Sequence, residues 1–256
     1  MRVSILQIDI VWEDKQKNLQ HLRSKLEELC GKTDIAILPE MFSTGFTMRS
    51  RELAEPVDGE TITTLREWAS TYKIALVGSY IASDQGYYYN RAFFLTPDGE
   101  AYYYDKKHLF RMGNETEYFS AGNNKVIIPY RGWNICLLVC YELRFPVWSR
   151  NVNNEYDLLI YVANWPTARR QVWDTLLAAR AIENMTYVCG VNRVGTDGNG
   201  LAYSGGSVIY SPRGKAIVTT ADNKESVVTK DLSLDELTTF RQKFPVWMDA
   251  DPFQIL

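Results

Sequence analysis

The feature that most limits the possible fold is a regular alternation of strand-like and helix-like segments along the whole chain. Residues 2–8 alternate apolar and polar side chains like a strand, and leucines then recur at helical spacing, at Leu19, Leu22, Leu26 and Leu29. No linker, repeat or low-complexity stretch interrupts this alternation. Because 46% of the 256 residues are hydrophobic, the chain can bury a large core. The sequence therefore predicts a single α/β domain over residues 1–256, with helices covering sizeable sheets.

Composition argues against several classes of partner and location. The net charge of −3 does not suggest a nucleic-acid partner or an anionic membrane. No apolar stretch approaches the roughly 18 residues that are needed to span a bilayer. The first residues enter a strand pattern directly, without the features of a signal peptide, and four cysteines are few for a disulfide framework. We therefore expect a cytoplasmic protein that binds neither nucleic acid nor membrane.

Motifs for metals and cofactors are missing from the sequence. HExxH, paired CxxC, GxGxxG and GxxxxGK[ST] do not occur, so we expect no metal and no cofactor. The glycine-rich residues 195–200 contain an aspartate and no lysine, which is typical of a turn or of the lip of a pocket. A Ser-His-Asp triad would have to use His108, and no GxSxG motif accompanies it.

Three polar residues directly follow apolar, strand-like runs: Glu40 after residues 34–39, Lys106 after residues 101–105, and Cys140 after residues 133–139. Ligands of α/β sheets bind at strand ends, so these side chains could converge on one pocket. A thiol at such a position is well placed as a nucleophile, with the next backbone N–H groups available to an oxyanion. Each residue also has an ordinary explanation: a surface glutamate that caps a turn, a solvated lysine and a buried inert thiol.

A cysteine hydrolase without a histidine base must take the thiol proton with another group, and Glu40 is the candidate. Ordinary pKa values of Cys and Glu differ by about four units, or roughly 6 kcal/mol against proton transfer. Burial raises the pKa of a carboxyl group, and a nearby ammonium lowers the pKa of a thiol, so both effects narrow the difference. The chemistry therefore needs a desolvated glutamate and a fixed lysine beside the sulfur.

Segments around these residues resemble a known family. Leu38–Phe42, Tyr104–Phe110 and Val139–Pro146 look like the three signature segments of the carbon–nitrogen hydrolase (nitrilase) superfamily, in family order, and Arg180–Asn184 resembles a further one. The resemblance implies an αββα sandwich of two sheets. It also implies a homodimer in which the sheets of two subunits continue, with the C-terminal segment often reaching toward the partner.

The same resemblance assigns roles to individual residues. It implies Glu40 as general base, Lys106 as stabiliser of the tetrahedral intermediate and Cys140 as nucleophile, with the Tyr141 N–H as a second oxyanion donor. Spacing to the following His-Leu-Phe stretch selects Lys106 rather than Lys107, and strand alternation places Lys106 on one face with Tyr102 and Tyr104. A second glutamate of the family falls on Glu115 or Glu117, and Glu115 fits the spacing better. Glu142 is expected to hold the turn by hydrogen bonds.

Within the superfamily, Asp105–Met112 and Val162–Pro166 most resemble the ω-amidase branch. Bacterial members of that branch release ammonia from 2-oxoglutaramate and 2-oxosuccinamate. These substrates carry a carboxylate distant from the amide, so the pocket needs a cation to hold it. Candidate cations are Arg144, Arg169 and Arg170, and candidate pocket walls are Phe42, Phe46 and Trp165. Two alternatives stay open: an N-carbamoyl amidohydrolase or nitrilase that uses the same three residues, and a non-catalytic scaffold of the same fold.

Overall fold

The computed structural model describes residues 1–255. Its strands are β1 (Arg2–Gln7), β2 (Ile35–Ile37), β3 (Ala75–Asp84), β4 (Tyr87–Leu95), β5 (Ala101–Asp105), β6 (Ile127–Tyr130), β7 (Trp133–Val139), β8 (Leu158–Ala163), β9 (Tyr187–Asn192), β10 (Val194–Thr196), β11 (Ala202–Ser204), β12 (Val208–Tyr210), β13 (Ala216–Thr219) and β14 (Ser226–Asp231). Its α-helices are α1 (Lys15–Leu29), α2 (Ser50–Leu53), α3 (Glu60–Tyr72), α4 (Glu115–Tyr118), α5 (Arg170–Asn184) and α6 (Leu234–Lys243). Short 3-10 helices lie at Arg111–Gly113, Cys140–Arg144, Val152–Asn154, Thr167–Arg169 and Val246–Asp249.

Two six-stranded sheets carry the architecture. The first sheet has the order β14-β1-β2-β3-β4-β5, and the second has the order β13-β12-β9-β8-β7-β6. In each sheet three central strands are parallel, β1-β2-β3 in the first and β7-β8-β9 in the second, while the outer strands are antiparallel. Strands β10 and β11 form a separate small hairpin. Parallel strands end at the same edge, so residues that follow them are brought together.

The apolar faces of both sheets pack on each other and on helices. Side chains from β1, β2 and β3 meet those of β7, β8 and β9 in one buried layer between the sheets. The opposite face of the first sheet packs on α1 and α3. On the outer face of the second sheet, α5 lies so close to β9 that a Cβ at Gly190 would fall 2.3 Å from the Leu177 side chain. The fold is therefore an αββα sandwich, as the family resemblance implied.

Two further sequence patterns can be compared with the structure. The Pro-Asp-Gly sequence at residues 97–99 predicts a hairpin turn, and β4 and β5 pair on either side of it. The pattern of residues 206–210 predicts a strand, but that strand begins only at Val208. Both Gly205 and Gly206 have positive φ angles, of 80° and 81°, which an extended strand does not allow. This bend lets the Gly206 carbonyl accept a hydrogen bond from the Trp173 indole.

The fold places the ends of several strands side by side. Glu40 lies three residues beyond β2, Lys106 follows β5, and Cys140 follows β7. The first two belong to one sheet and the third to the other, so the residues meet at an edge of the sandwich. Among residues 1–255, no helix is both long enough and apolar enough to cross a membrane.

Candidate active site

The centre of the site is a buried ion cluster. The Lys106 ammonium nitrogen lies 2.9 Å from Glu40 Oε1 and 2.9 Å from Glu115 Oε2, with Glu115 Oε1 at 3.0 Å. All three side chains are shielded from solvent. Glu117, the alternative to Glu115, is exposed. Lys107 is only partly buried, and its ammonium lies over the Trp148 ring instead. The structure thus brings Glu115 and Lys106 to Glu40, and leaves the neighbouring alternatives outside.

Burial and charge act in opposite directions on this cluster. Burial disfavours the charged form of Lys106, but the carboxylates of Glu115 and Glu40 outweigh it and raise the pKa of the ammonium group. Burial also raises the pKa of Glu115, with repulsion from Glu40 adding to it and the Lys106 ammonium opposing it. The lysine therefore stays protonated. Its single positive charge lies beside two carboxylates and can balance only one of them.

Cys140 is the first residue of a 3-10 helix that directly follows β7. Its backbone φ of 46° lies in the left-handed region, which is costly for a residue with a Cβ and is concentrated at functional sites. The thiol donates to the Asn164 carbonyl at 3.8 Å. Burial and the adjacent Glu40 carboxylate raise the pKa of the thiol, and the Lys106 ammonium only partly offsets this. The sulfur is therefore a neutral thiol that needs a base to become a nucleophile.

Asn164 connects Glu40 to the thiol. Its backbone N–H donates to Glu40 Oε2 at 2.9 Å, and its side-chain amide donates to the Glu40 backbone carbonyl. Because the Asn164 carbonyl also accepts from Cys140, one residue at the end of β8 holds both reacting groups. No role for Asn164 was evident from the sequence, although it directly follows an apolar strand, as Lys106 and Cys140 do.

Glu142 binds the turn after Cys140 to the segment after Lys106. Its carboxylate accepts hydrogen bonds from the backbone N–H groups of Val139, Lys107 and His108, at 2.9, 3.0 and 3.2 Å. The Tyr104 hydroxyl donates to the same carboxylate at 2.5 Å. This carboxylate fixes the strand end that carries the thiol relative to the strand end that carries the ammonium. Tyr141 follows in the first turn of the 3-10 helix, where backbone N–H groups have no partner within a helix.

A cavity of about 340 Å³ opens onto Cys140 and Lys106. Its walls contain five residues that the sequence suggested, Phe46, Tyr141, Arg144, Trp165 and Arg169, together with Met48, Phe110, Met112, Gly113, Asn164, Pro166, Asp197, Asn199, Leu201 and Tyr203. Phe42 is not among them, since it is completely buried and packs edge-on against Phe93 at 6.0 Å between ring centroids. The prediction that Phe42 walls the pocket is thereby corrected: it faces the core between the first sheet and its helices.

Two arginines stand at the cavity without an acidic partner within residues 1–255. The Arg144 guanidinium lies over the Trp165 ring at 5.2 Å, and the Arg169 guanidinium lies over the Phe110 ring at 5.3 Å. Arg170, the third candidate, pairs with Asp174 and Asp222 at 2.8 Å each and does not line the cavity. Stacked and uncompensated guanidinium groups are suited to a planar anion such as a carboxylate.

The hairpin of β10 and β11 forms one lip of the cavity, as the glycine-rich sequence suggested. Asp197 closes its turn by accepting from the N–H groups of Asn199 and Leu201 at 2.9 and 3.0 Å and from the Tyr203 hydroxyl at 2.8 Å. The Asp197 carboxylate is thus already hydrogen-bonded within its own hairpin. In the part of the chain that the structure describes, no group of three His, Cys, Asp or Glu side chains is arranged to hold a metal ion.

The chain is similar to known proteins over nearly its whole length. The family model for carbon-nitrogen hydrolases matches residues 2–242. The chain is 43% identical over 255 residues to the omega-amidase YafV of Escherichia coli K12, covering 100% of this chain and 98% of that protein. It is 29% identical over 251 residues to the 2-oxoglutaramate amidase of Bacillus subtilis, with 96% of each chain covered.

A solved structure has nearly the same backbone. A CN-hydrolase superfamily protein from Xanthomonas campestris, with an arsenic adduct in its active site, superposes with a TM-score of 0.98. It is 40% identical to this chain, covering 100% of this chain and 99% of that one. The match of the family model over nearly the whole length and the similarity of the fold lead to one conclusion: the chain belongs to the carbon-nitrogen hydrolase family.

Proposed function

We propose that the protein is an ω-amidase, which hydrolyses the terminal amide of a small ω-amido acid such as 2-oxoglutaramate or 2-oxosuccinamate and releases ammonia. The observation that carries this proposal is the meeting of Lys106 and Cys140 at one cavity, with the buried Glu40 carboxylate in contact with Lys106. Two arginines without acidic partners within residues 1–255 border the same cavity. The similarity to the Escherichia coli omega-amidase over the full length supports the same reaction class.

The first step is attack by sulfur. Glu40 takes the thiol proton of Cys140 while the sulfur bonds to the amide carbonyl carbon, so the charge never rests on an isolated thiolate. Burial makes this coupling necessary, because it raises the pKa of the thiol and disfavours ionisation in advance. Asn164 keeps the two reacting groups adjacent by binding Glu40 Oε2 and the thiol.

The carbonyl oxygen becomes negative as the tetrahedral intermediate forms. The Lys106 ammonium and the Tyr141 backbone N–H stabilise this oxygen, and both are aimed before the reaction starts. Glu115 holds the ammonium with contacts of 2.9 and 3.0 Å. The raised pKa of Lys106 ensures that it is a cation throughout the working pH range.

The intermediate collapses when the C–N bond breaks. Glu40 returns its proton to the departing nitrogen, ammonia leaves, and Cys140 carries an acyl thioester. Water then attacks the thioester carbon while Glu40 accepts a proton from that water. The second tetrahedral intermediate expels sulfur, which recovers its proton from Glu40, and the dicarboxylic acid product leaves.

The distal carboxylate of the substrate is assigned to Arg144 and Arg169. Both border the cavity that contains the thiol, and both guanidinium groups are oriented by an aromatic ring, Trp165 or Phe110. Phe46 and Trp165 supply the apolar wall along the short carbon chain. A carboxylate-bearing amide therefore fits this cavity better than a neutral amide does.

Ammonia release from a substrate panel tests the reaction. We expect 2-oxoglutaramate to be turned over at least about a hundredfold faster than glutamine. Glutamine carries the same carboxylate, but beside it stands an ammonium group, which the arginine pair repels. An N-carbamoyl amino acid and an aliphatic nitrile, assayed beside them, represent the two nearest rival activities. Preference for either of these, or equal rates on glutamine, would contradict the ω-amidase assignment.

Substitution of the reacting groups tests the site. Cys140→Ala should abolish turnover, and Lys106→Met should reduce kcat by about a thousandfold or more, since one oxyanion donor alone contributes 10²–10³. Lys107→Met is the matched control, because that ammonium lies over Trp148 outside the cavity, and it should stay near wild-type activity. Circular dichroism verifies folding. Measurable turnover by Cys140→Ala would rule out the mechanism.

Removal of the cations tests substrate binding. Arg144→Ala and Arg169→Ala should each raise KM for 2-oxoglutaramate about tenfold to a hundredfold, the range of a lost hydrogen bond to a charged group. Turnover of a neutral short-chain amide should be unchanged. Arg170→Ala, whose guanidinium already pairs with Asp174 and Asp222, serves as control. An unaltered KM in both cavity variants would remove the carboxylate assignment.

We also propose that residues 1–256 act as one domain that forms a homodimer in the cytoplasm. The C-terminal segment supports a protein partner, because it exposes several large apolar side chains: Phe244, Val246, Met248, Phe253 and Ile255. Sedimentation equilibrium should give twice the mass of one chain, and a monomer at micromolar concentration would contradict the dimer.

The cysteines are unpaired, at Cys30, Cys136, Cys140 and Cys189, as suits a reducing compartment. Cell fractionation should recover the protein with cytoplasmic markers.

A further inference from the structure

A buried asparagine adjoins the ion cluster without belonging to the three reacting residues. Asn90 lies in β4, on the strand face that also carries Ala92 and Phe94 and points toward the second sheet. Its side chain is completely buried. A buried primary amide is retained at such a place only if its hydrogen-bonding groups are satisfied.

The Asn90 amide nitrogen bridges the two carboxylates. It donates to Glu40 Oε1 at 2.8 Å and to Glu115 Oε1 at 3.0 Å, one N–H for each. These are the same two oxygens that the Lys106 ammonium contacts at 2.9 and 3.0 Å. The carboxylate pair is thus held between a cation on one side and a neutral donor on the other.

The orientation of this amide is fixed by its neighbours. The Met41 backbone N–H donates to Ser79 Oγ at 2.8 Å, and the Ser79 hydroxyl then donates to Asn90 Oδ1 at 2.9 Å. A backbone N–H cannot accept a hydrogen bond, so the serine proton is directed at the amide oxygen. The amide NH₂ therefore faces the carboxylates, and a flipped amide would place its oxygen against two carboxylate oxygens with no proton between them.

The charge balance shows what this donor contributes. The titratable groups that face the carboxylate pair are Lys106 from the end of β5 and the Cys140 thiol from the end of β7. One ammonium between two carboxylates leaves a net charge of −1 in a dry site. The only further donors recorded to the oxygens of the pair, within residues 1–255, are the backbone N–H groups of Phe110 and Asn164 and the Asn90 amide.

We propose that Asn90 is a positioning residue for the reaction, which keeps Glu40 and Glu115 ionised together and holds the Glu40 carboxylate toward the thiol. The inference rests on the proposed function of Glu40 as the base. Without this donor, one carboxylate of the pair would hold a proton at pH values where the wild-type pair has none. A protonated Glu40 cannot accept the proton of Cys140.

The pH dependence of kcat/KM tests this proposal. Asn90→Ala removes one donor to each carboxylate, so the acid limb should move upward by about one pH unit or more. Asn90→Asp has the same shape but places a third carboxylate against the pair, so its limb should move further up than that of Asn90→Ala. KM should change little in either variant, because Asn90 does not line the cavity.

Alkylation of Cys140 by iodoacetamide gives a readout that needs no substrate. Its rate, followed by mass spectrometry of the Cys140 peptide, should fall on the acid side with the same upward shift in Asn90→Ala. The control is Asn151→Ala, which removes a similarly buried and bonded amide far from the cluster. This control should lower the melting temperature but leave both pH profiles in place.

The outcomes separate this inference from the proposed function. An Asn90→Ala protein that is folded, with both acid limbs at the wild-type position, would overturn the role of Asn90. If wild type released no ammonia from ω-amides while the alkylation limb still shifted, the ω-amidase assignment would fail and the role of Asn90 would stand. If Asn90→Ala does not fold, Ser79→Ala takes its place. This variant keeps the Asn90 amide but removes the hydroxyl that orients it. Its acid limbs should move upward by less than those expected for Asn90→Ala, and unmoved limbs would also overturn the proposal.

Discussion

One ammonium group sets the chemistry of this protein. The Lys106 side chain is shielded from solvent and neutralises charge on two equally buried glutamates. Desolvation of an ion costs several kcal/mol even after relaxation, and removing one partner of a buried pair typically destabilises by about 3–5 kcal/mol. The cluster is therefore poor as a means of stabilising a fold. Its value lies in presenting a fixed cation and a fixed carboxylate to a thiol that cannot ionise by itself.

Much of the site could be predicted because strand ends are visible in sequence. Glu40, Lys106 and Cys140 each interrupt an apolar run, and the alternation within β5 already separates Lys106 from Lys107. The two-sheet fold came from the resemblance carried by these same segments, since periodicity alone gives an α/β domain without the pairing of its sheets. Both levels agree because the residues that end the strands are also residues of the signature segments.

The remaining parts depend on tertiary contacts that no local pattern encodes. Phe42 was a candidate for the pocket wall, but the chain turns at Met41, which has a φ of 43°, and the Phe42 ring lies in the core. The contacts of Asn90 could not be predicted from the sequence, because they depend on β4 lying beside β5 with Asn90 facing Glu40. Asn164 acts partly through its backbone, which carries no side-chain signal at all.

The position of the thiol opposite the ammonium has a wider consequence. Cys140 and Asn164 extend from one sheet, whereas Glu40 and Lys106 extend from the other, so the reacting atoms face each other across the seam of the sandwich. Their separation is set by the thickness of the packed layer beneath them. A conservative change in that layer, at a residue such as Val77 or Ile160, alters this separation. It can therefore lower the activity of the enzyme although every side chain of the site is retained.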